Sequence, residues 1–213
     1  MKSKIIALAL FAFTAATVVF YPASQSTGAI TPPPVDPLTN QRPRVEVVFV
    51  LDTTGSMGGL IQAAKEKIWS IASNLASAQP APEIRMGLVA YRDRGDSYVT
   101  RVIDLSADLD SVYASLMDFQ ADGGGDGPES VNQALHDAIH KVSWSQQDDT
   151  YKVVFLVGDA PPHMDYAGDI PYGDSARAAL AKGIRIHSVA ASGLDPVELT
   201  ELVENQIRYR FAR

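Results

Sequence analysis

The stretch VFVLDTTGSMGG, residues 48–59, places an acid and three hydroxyl side chains at the end of an apolar run. Thr53, Thr54 and Ser56 follow Asp52 closely, and glycines then lead into a helical pattern. An apolar, β-branched run predicts a strand that is covered on both faces. Loops at the carboxyl ends of such strands present the ligand-binding groups of α/β sheets, so the stretch predicts an oxygen-rich site.

The same pattern recurs along the chain, separated by helical periods. Nearly continuous aliphatic runs occur at residues 84–93, 151–159 and 184–192, and predict further buried parallel strands. Residues 98–106 alternate apolar and polar side chains, which predicts an antiparallel edge strand reached by a hairpin. Two helical stripes lie between the strands: Ile61, Ile68, Ile71 and Leu75, then Val131, Leu135, Ile139 and Val142.

These elements predict an α/β fold. We expect a doubly wound, mostly parallel central sheet with one antiparallel edge strand and helices on both faces. After the last strand, residues 195–207 predict a final helix, and only RYRFAR, residues 208–213, remains for one more strand. That last strand is therefore expected to be short or missing.

The first residues have the pattern of an export signal. Lys2 and Lys4 precede an uninterrupted apolar run at residues 5–21. As a helix this run would reach roughly 25 Å, slightly less than a bilayer core, which favours a cleaved signal over an anchor. We expect a signal peptide at residues 1–29, with a retained membrane anchor as the alternative. The chain is then exported to the periplasm, the cell envelope or the medium.

Composition limits the partners and the sources of stability. The 213 residues are 46% hydrophobic and 20% charged, as expected of one globular domain at residues 44–213 behind a proline-rich spacer at 30–43. The net charge of −7 argues against nucleic acid, which needs a basic surface. There is no cysteine, so disulfides cannot stabilise an exported chain, and core burial must do so, to which a bound ion can add.

Three loops carry aspartates where the predicted sheet would present ligand-binding groups. They are residues 52–56, 122–130 and 157–163. Oxygen ligands with few carboxylates suit hard cations, Mg²⁺ first and Ca²⁺ or Mn²⁺ as alternatives. Neutral hydroxyls leave the ion electrophilic, so a partner's carboxylate could complete its shell. Phosphate binding by a glycine-rich loop would need a lysine that neither glycine loop supplies.

These residues resemble a known family. Asp52, Thr54 and Ser56 resemble the Asp-x-Ser/Thr-x-Ser signature of the von Willebrand factor type A domain, and Asp159 resembles its third metal loop. The resemblance covers about residues 44 to 208. It implies a metal-ion-dependent adhesion site in which Thr54 and Ser56 bind the ion directly, while Asp52 and Asp159 act mainly through water. It further implies metal-bridged binding of a protein ligand, as in cell adhesion, without catalysis.

The middle loop departs from that pattern. Adhesive members of the family place a threonine hydroxyl here, whereas this chain has Gly125 and Asp126 at or next to that position. We expect Asp126 to substitute as a metal ligand. Its extra negative charge would make the ion less electrophilic and weaken capture of a partner's carboxylate.

Two other functions remain open. An apolar strand ending in Asp52 and a later GDAPP also resemble haloacid dehalogenase-like phosphatases, which use Mg²⁺ and a nucleophilic aspartate. Those enzymes need a second aspartate two positions later as acid and base, and Thr54 cannot transfer a proton near neutral pH. The third possibility is a structural scaffold with a vestigial metal site.

Two short motifs have simpler explanations. HDAIH, residues 136–140, has the histidine spacing of zinc proteases but an aspartate in place of their glutamate, so surface histidines on a helix are favoured. RGD, residues 94–96, is explained as well by a charged turn between two strands as by cell attachment.

Overall fold

The computed structural model of the protein describes residues 42–191. The predicted signal at 1–29, most of the spacer at 30–43 and the terminal segments at 195–207 and 208–213 lie outside the described residues and stay predictions. Between residues 42 and 191, no helix combines the length and the apolarity that crossing a bilayer requires.

Within this part of the chain, five strands form one sheet: β1 Arg44–Asp52, β2 Glu83–Tyr91, β3 Thr100–Ser106, β4 Thr150–Gly158 and β5 Ile184–Ala190. Their order across the sheet is β3-β2-β1-β4-β5. β1 pairs in parallel with β2 and β4, β5 pairs in parallel with β4, and β3 runs antiparallel to β2. The predicted mostly parallel sheet with one antiparallel edge strand is confirmed.

Helices cover both faces of this sheet, as predicted. In the described residues the α-helices are α1 Ile61–Ala76, α2 Leu109–Met117, α3 Val131–His140 and α4 Tyr172–Ala181, and a 3-10 helix, Gly55–Gly59, precedes α1. Side chains of β1 alternate between two cores: Val47, Phe49 and Leu51 pack with α1 and α2, whereas Val48 and Val50 pack with α3 and α4. Burying one such side chain contributes about 1.5–3 kcal/mol, so β1 holds both layers together.

The two predicted helical stripes face these cores. Ile61 and Ile68 of α1 are buried in the first core, and the α3 stripe is buried in the second. Val142 packs in the same core although α3 ends at His140, so the stripe continues beyond the helix.

The carboxyl end of β1 is the point where the strand order reverses. From β1 the chain continues to β2 on one side, while β4 lies on the other side. Asp52 ends β1 and pairs in register with Tyr91, the last residue of β2. Gly158 ends β4 and is followed directly by Asp159. Ligands of open α/β sheets bind in the crevice at such a reversal, and the first and third predicted loops begin there.

Candidate metal centre

Backbone hydrogen bonds join the three aspartate loops. The Asp122 amide donates to the Thr53 carbonyl at 3.1 Å, and the Gly55 amide donates to the Gly123 carbonyl at 3.0 Å. These bonds attach the middle loop to the first loop. The middle and third loops are joined by the Glu129 amide, which donates to Pro161, and by the Glu129 carbonyl, which accepts from His163. The loops therefore converge, as the sequence predicted.

Four of the five predicted site residues form one continuous hydrogen-bonded group. Both the amide and the hydroxyl of Thr54 donate to Asp52 Oδ1, at 2.9 and 2.7 Å. The Thr54 and Ser56 hydroxyl oxygens lie 3.0 Å apart, and Ser56 Oγ donates to Asp159 Oδ1 at 2.9 Å. The inner pair, Asp52 and Thr54, is fully buried, while Ser56 is exposed. The group thus runs from the sheet to the surface.

Glu129 is a carboxylate of this site that the sequence analysis missed. Its side chain is 2% exposed, and its Oε1 lies beside Thr54, since both would contact a Cβ added to Gly124. Burial, together with the nearby carboxylates of Asp52, Asp93 and Asp96, raises the pKa of Glu129 to about 8, against the lowering effect of the Thr54 hydrogen bond. Its position between Pro128 and Ser130, the residue that precedes α3, is the sequence signal that could have identified it.

Asp126 lies with a different set of side chains. Its Oδ1 is 3.4 Å from Nε2 of His163, and both belong to a cluster with Asp93. The structure therefore does not bring Asp126 into the hydrogen-bonded group of Asp52, Thr54, Ser56 and Asp159. The middle-loop acid beside Thr54 is Glu129, which lies three residues further along the chain.

The inner part of the site concentrates negative charge with too few donors. Asp52 Oδ2 and Glu129 Oε2 are buried and make no hydrogen bond of normal geometry, although the Tyr91 hydroxyl interacts with the Asp52 carboxylate. Burial raises the pKa of Asp52, and the charge of Asp159 raises it further, although the Thr54 hydrogen bonds oppose the shift. Burial and the Asp52 charge also raise the pKa of Tyr91 well above its usual value. Such a group is costly unless a proton or a cation neutralises it.

Glycine is required where the loops meet. Gly123 and Gly124 have φ values of 75° and 74°, in the region that side chains disfavour. A Cβ on Gly123 would lie 2.4 Å from the carboxylate of Asp96. That carboxylate accepts hydrogen bonds from the amides of Gly124 at 2.9 Å and Asp93 at 3.0 Å. The RGD aspartate therefore holds the middle loop, in agreement with a turn.

The histidines of HDAIH lie on α3, as the helical interpretation predicts. Their rings contact each other, with centroids 4.4 Å apart. Asp137 between them is fully buried and accepts from Thr100, Gln133 and Lys141. This aspartate therefore supports the packing of α3 against β3.

Comparison with known proteins assigns the family. A sequence model described as the von Willebrand factor A domain matches residues 46–168. The chain belongs to the von Willebrand factor A domain family. The match includes most of β1 and all three aspartate loops, and it ends before α4 and β5. Domains of this family generally act as interaction modules, and they commonly bind a divalent metal.

Relatives of this A domain occur within longer proteins. The alpha-protein kinase vwkA of Dictyostelium discoideum is 27% identical over 172 residues, which are 78% of this chain and 25% of that protein. The von Willebrand factor A domain-containing protein 7 of Rattus norvegicus is 37% identical over 97 residues, 46% of this chain and 10% of that protein. This chain thus spans a quarter or less of the length of these relatives.

A solved structure shows the same fold. BatB from Bacteroides thetaiotaomicron matches with a TM-score of 0.58 at 16% sequence identity, over 76% of this chain and 87% of BatB. At this identity the likeness shows the architecture of the A domain alone.

Proposed function

We propose that this A domain is exported and binds Mg²⁺ at the junction of its three aspartate loops, using the ion to hold a protein partner. One observation carries the proposal: oxygens of Asp52, Thr54, Ser56 and Asp159 form one hydrogen-bonded group across two separate loops. Asp52 Oδ2 and Glu129 Oε2, which are buried without a hydrogen bond of normal geometry, fit a cation at this junction.

The donor set fits a hard cation. Thr54 and Ser56 would supply neutral hydroxyls, and Asp52, Asp159 and Glu129 would supply carboxylates, which together suit Mg²⁺, or Ca²⁺ or Mn²⁺. Glu129 takes the place that we expected for Asp126. When bound, the ion supplies positive charge that offsets these acids and a Lewis-acidic position for an anionic ligand. Because Ser56 is exposed, a partner's carboxylate can approach from its side.

Support for binding rather than catalysis comes from Asp52 itself. Its Oδ1 accepts two hydrogen bonds from Thr54, and Thr54 stands where a phosphatase would need its acid–base carboxylate. The relatives named above include a kinase and a protein named only for its A domain. An interaction module is a part that proteins of such different activities can share.

A magnesium-titrated thermal melt of the full chain, after chelation and chelator removal, tests the proposal. At Mg²⁺ concentrations 100-fold above Kd, binding should stabilise the protein by about 2.7 kcal/mol, which is about 5–10 °C in Tm for a chain of this size. Ser56→Ala removes one hydroxyl ligand and should weaken Mg²⁺ binding at least 10-fold. The matched control is Ser73→Ala, on the exposed face of α1, which should respond as wild type.

The phosphatase and the vestigial scaffold give different results in a phosphatase assay and in the melt. Hydrolysis of p-nitrophenyl phosphate that is lost in Asp52→Ala would contradict the binding proposal and favour the phosphatase. No Mg²⁺, Ca²⁺ or Mn²⁺ shift in wild type would favour the vestigial scaffold. In a pull-down with the immobilised chain, partner proteins that bind in Mg²⁺ and are released by a chelator should not bind the Ser56→Ala variant.

A further inference from the structure

A second cluster of potential ligands lies beside the proposed magnesium site. Asp93 follows β2, Asp126 lies in the middle loop and His163 ends the third loop. One ligand atom from each lies within 4.8 Å of the other two. His163 Nε2 is 3.5 Å from Asp93 Oδ2 and 3.4 Å from Asp126 Oδ1. The proposed magnesium site has only oxygen donors, so this cluster has a different chemistry.

The imidazole of His163 is oriented toward the cluster. It is 3% exposed, and its Nδ1 lies 2.8 Å from Asp165 Oδ1. Its Nε2 is buried, has no hydrogen-bond partner and faces the two carboxylates. When Nδ1 of a histidine donates to a carboxylate, Nε2 presents its lone pair, and this is the usual arrangement of metal-binding histidines. The ring also stacks on Tyr166 at 3.8 Å between centroids.

The carboxylate of Asp93 is held in place as well. Ser130 donates to its Oδ1 at 3.0 Å, and the Tyr166 hydroxyl donates to its Oδ2 at 2.7 Å. Asp126 differs, because its side chain is 61% exposed. The cluster therefore has two fixed, buried ligands and one ligand at the solvent boundary. That is an arrangement from which a metal ion can enter.

From this arrangement we propose that Asp93, Asp126 and His163 form a second metal site, which prefers Zn²⁺ or a similar imidazole-binding ion over Mg²⁺. In a tetrahedral zinc site with bonds of about 2.0–2.1 Å, neighbouring ligand atoms lie roughly 3.3–3.4 Å apart. The two distances from His163 Nε2 are close to that spacing. Three protein ligands leave the fourth position open to water or a partner's side chain.

A proton is the competing occupant of this space. Burial lowers the pKa of His163, but the hydrogen bond with Asp165 and the charges of Asp93 and Asp126 outweigh it and raise the pKa. A protonated imidazole would face the same carboxylates without any metal. The test must therefore measure the metal directly.

Isothermal titration calorimetry of the full chain with Zn²⁺ at pH 7.5, in millimolar Mg²⁺, distinguishes a bound zinc ion from a protonated His163. We expect one zinc equivalent that Mg²⁺ does not displace. Asp126→Asn, at an exposed position that does not endanger folding, should weaken zinc binding by about 100-fold. Asp165→Asn, which only positions the imidazole, should weaken it by about 10-fold.

Two controls locate the ion. Asp118→Asn, an exposed acid after α2, should leave zinc affinity unchanged, as should Ser56→Ala in the magnesium site. Absence of zinc binding would overturn the proposal in favour of a protonated His163. Zinc binding that Asp126→Asn and His163→Gln leave unchanged would also overturn it, as would zinc binding lost with Ser56→Ala. The Ser56→Ala result keeps this test separate from that of the magnesium proposal.

Discussion

Glu129→Gln is expected to make the metal-free protein more stable at pH 8 and to weaken its magnesium binding by about 10- to 100-fold. Burial and the nearby carboxylates raise the pKa of Glu129 from 4.5 to about 8, so the folded protein prefers the protonated acid. Its stabilising contribution is complete below about pH 4.5 and is lost as pH rises toward 8. Glutamine removes this loss but also removes a charge that the ion requires.

Urea unfolding in chelator at pH 5 and pH 8 measures the effect. Between pH 5 and pH 8, the free energy of unfolding should fall by about 1–3 kcal/mol more in the wild type than in Glu129→Gln. The matched control is Glu66→Gln on the exposed face of α1, which should follow wild type. A Glu129→Gln protein that is less stable than wild type at pH 8 in chelator would show that the carboxylate is compensated without a cation.

Gly158→Ala is expected to destabilise the protein by about 2–3 kcal/mol, because the added methyl group has no space. Its Cβ would lie 2.3 Å from the Tyr91 hydroxyl and 3.2 Å from Asp52 Cβ and Oδ2. Tyr91 is 1% exposed, so its ring cannot move into solvent. The strain should fall on Asp52 and reduce magnesium affinity as well as stability.

Denaturant unfolding of a double-mutant cycle measures this strain. Tyr91→Phe removes the nearest clashing atom, so the Gly158→Ala penalty should be smaller in the Tyr91→Phe background. Gly173→Ala is the control, because no atom lies within 4 Å of its added Cβ and it lies on α4. It should be neutral or slightly stabilising. A Gly158→Ala penalty that Tyr91→Phe leaves unchanged would refute the proposed clash.

The sequence predicted the sheet because β1, β2 and β4 are buried by helices. Their apolar runs, such as residues 45–52, leave few alternatives to parallel strands, and the alternation at 98–106 indicated the edge strand. The residues around Asp52 were predictable for the same reason, since they follow β1 directly. Asp159 follows β4, the neighbouring strand in the sheet, so both reach the same edge. The expectation that β5 is covered on both faces was wrong for the described residues, where this edge strand alternates buried and exposed side chains.

The middle loop could not be predicted in this way. Its path depends on two glycines with positive φ and on hydrogen bonds to Thr53, Gly55 and Asp96, which are distant in sequence. The choice between Asp126 and Glu129 follows from that path, because two residues of irregular backbone, Gly127 and Pro128, separate them. The cluster around His163 was missed for a similar reason. Its three ligands come from three different loops, which connect β2 to β3, α2 to α3 and β4 to α4.

The hydrogen bonds of Asp96 bear on whether the RGD tripeptide, residues 94–96, can act as a cell-attachment sequence. A receptor that recognises the peptide would have to withdraw this carboxylate from the amides of Gly124 and Asp93. Recognition would then compete with the integrity of the neighbouring loop. The Asp96 carboxylate holds a neighbouring loop of the domain in place, and the presence of the tripeptide gives no reason to assign the chain to the ligands of adhesion receptors.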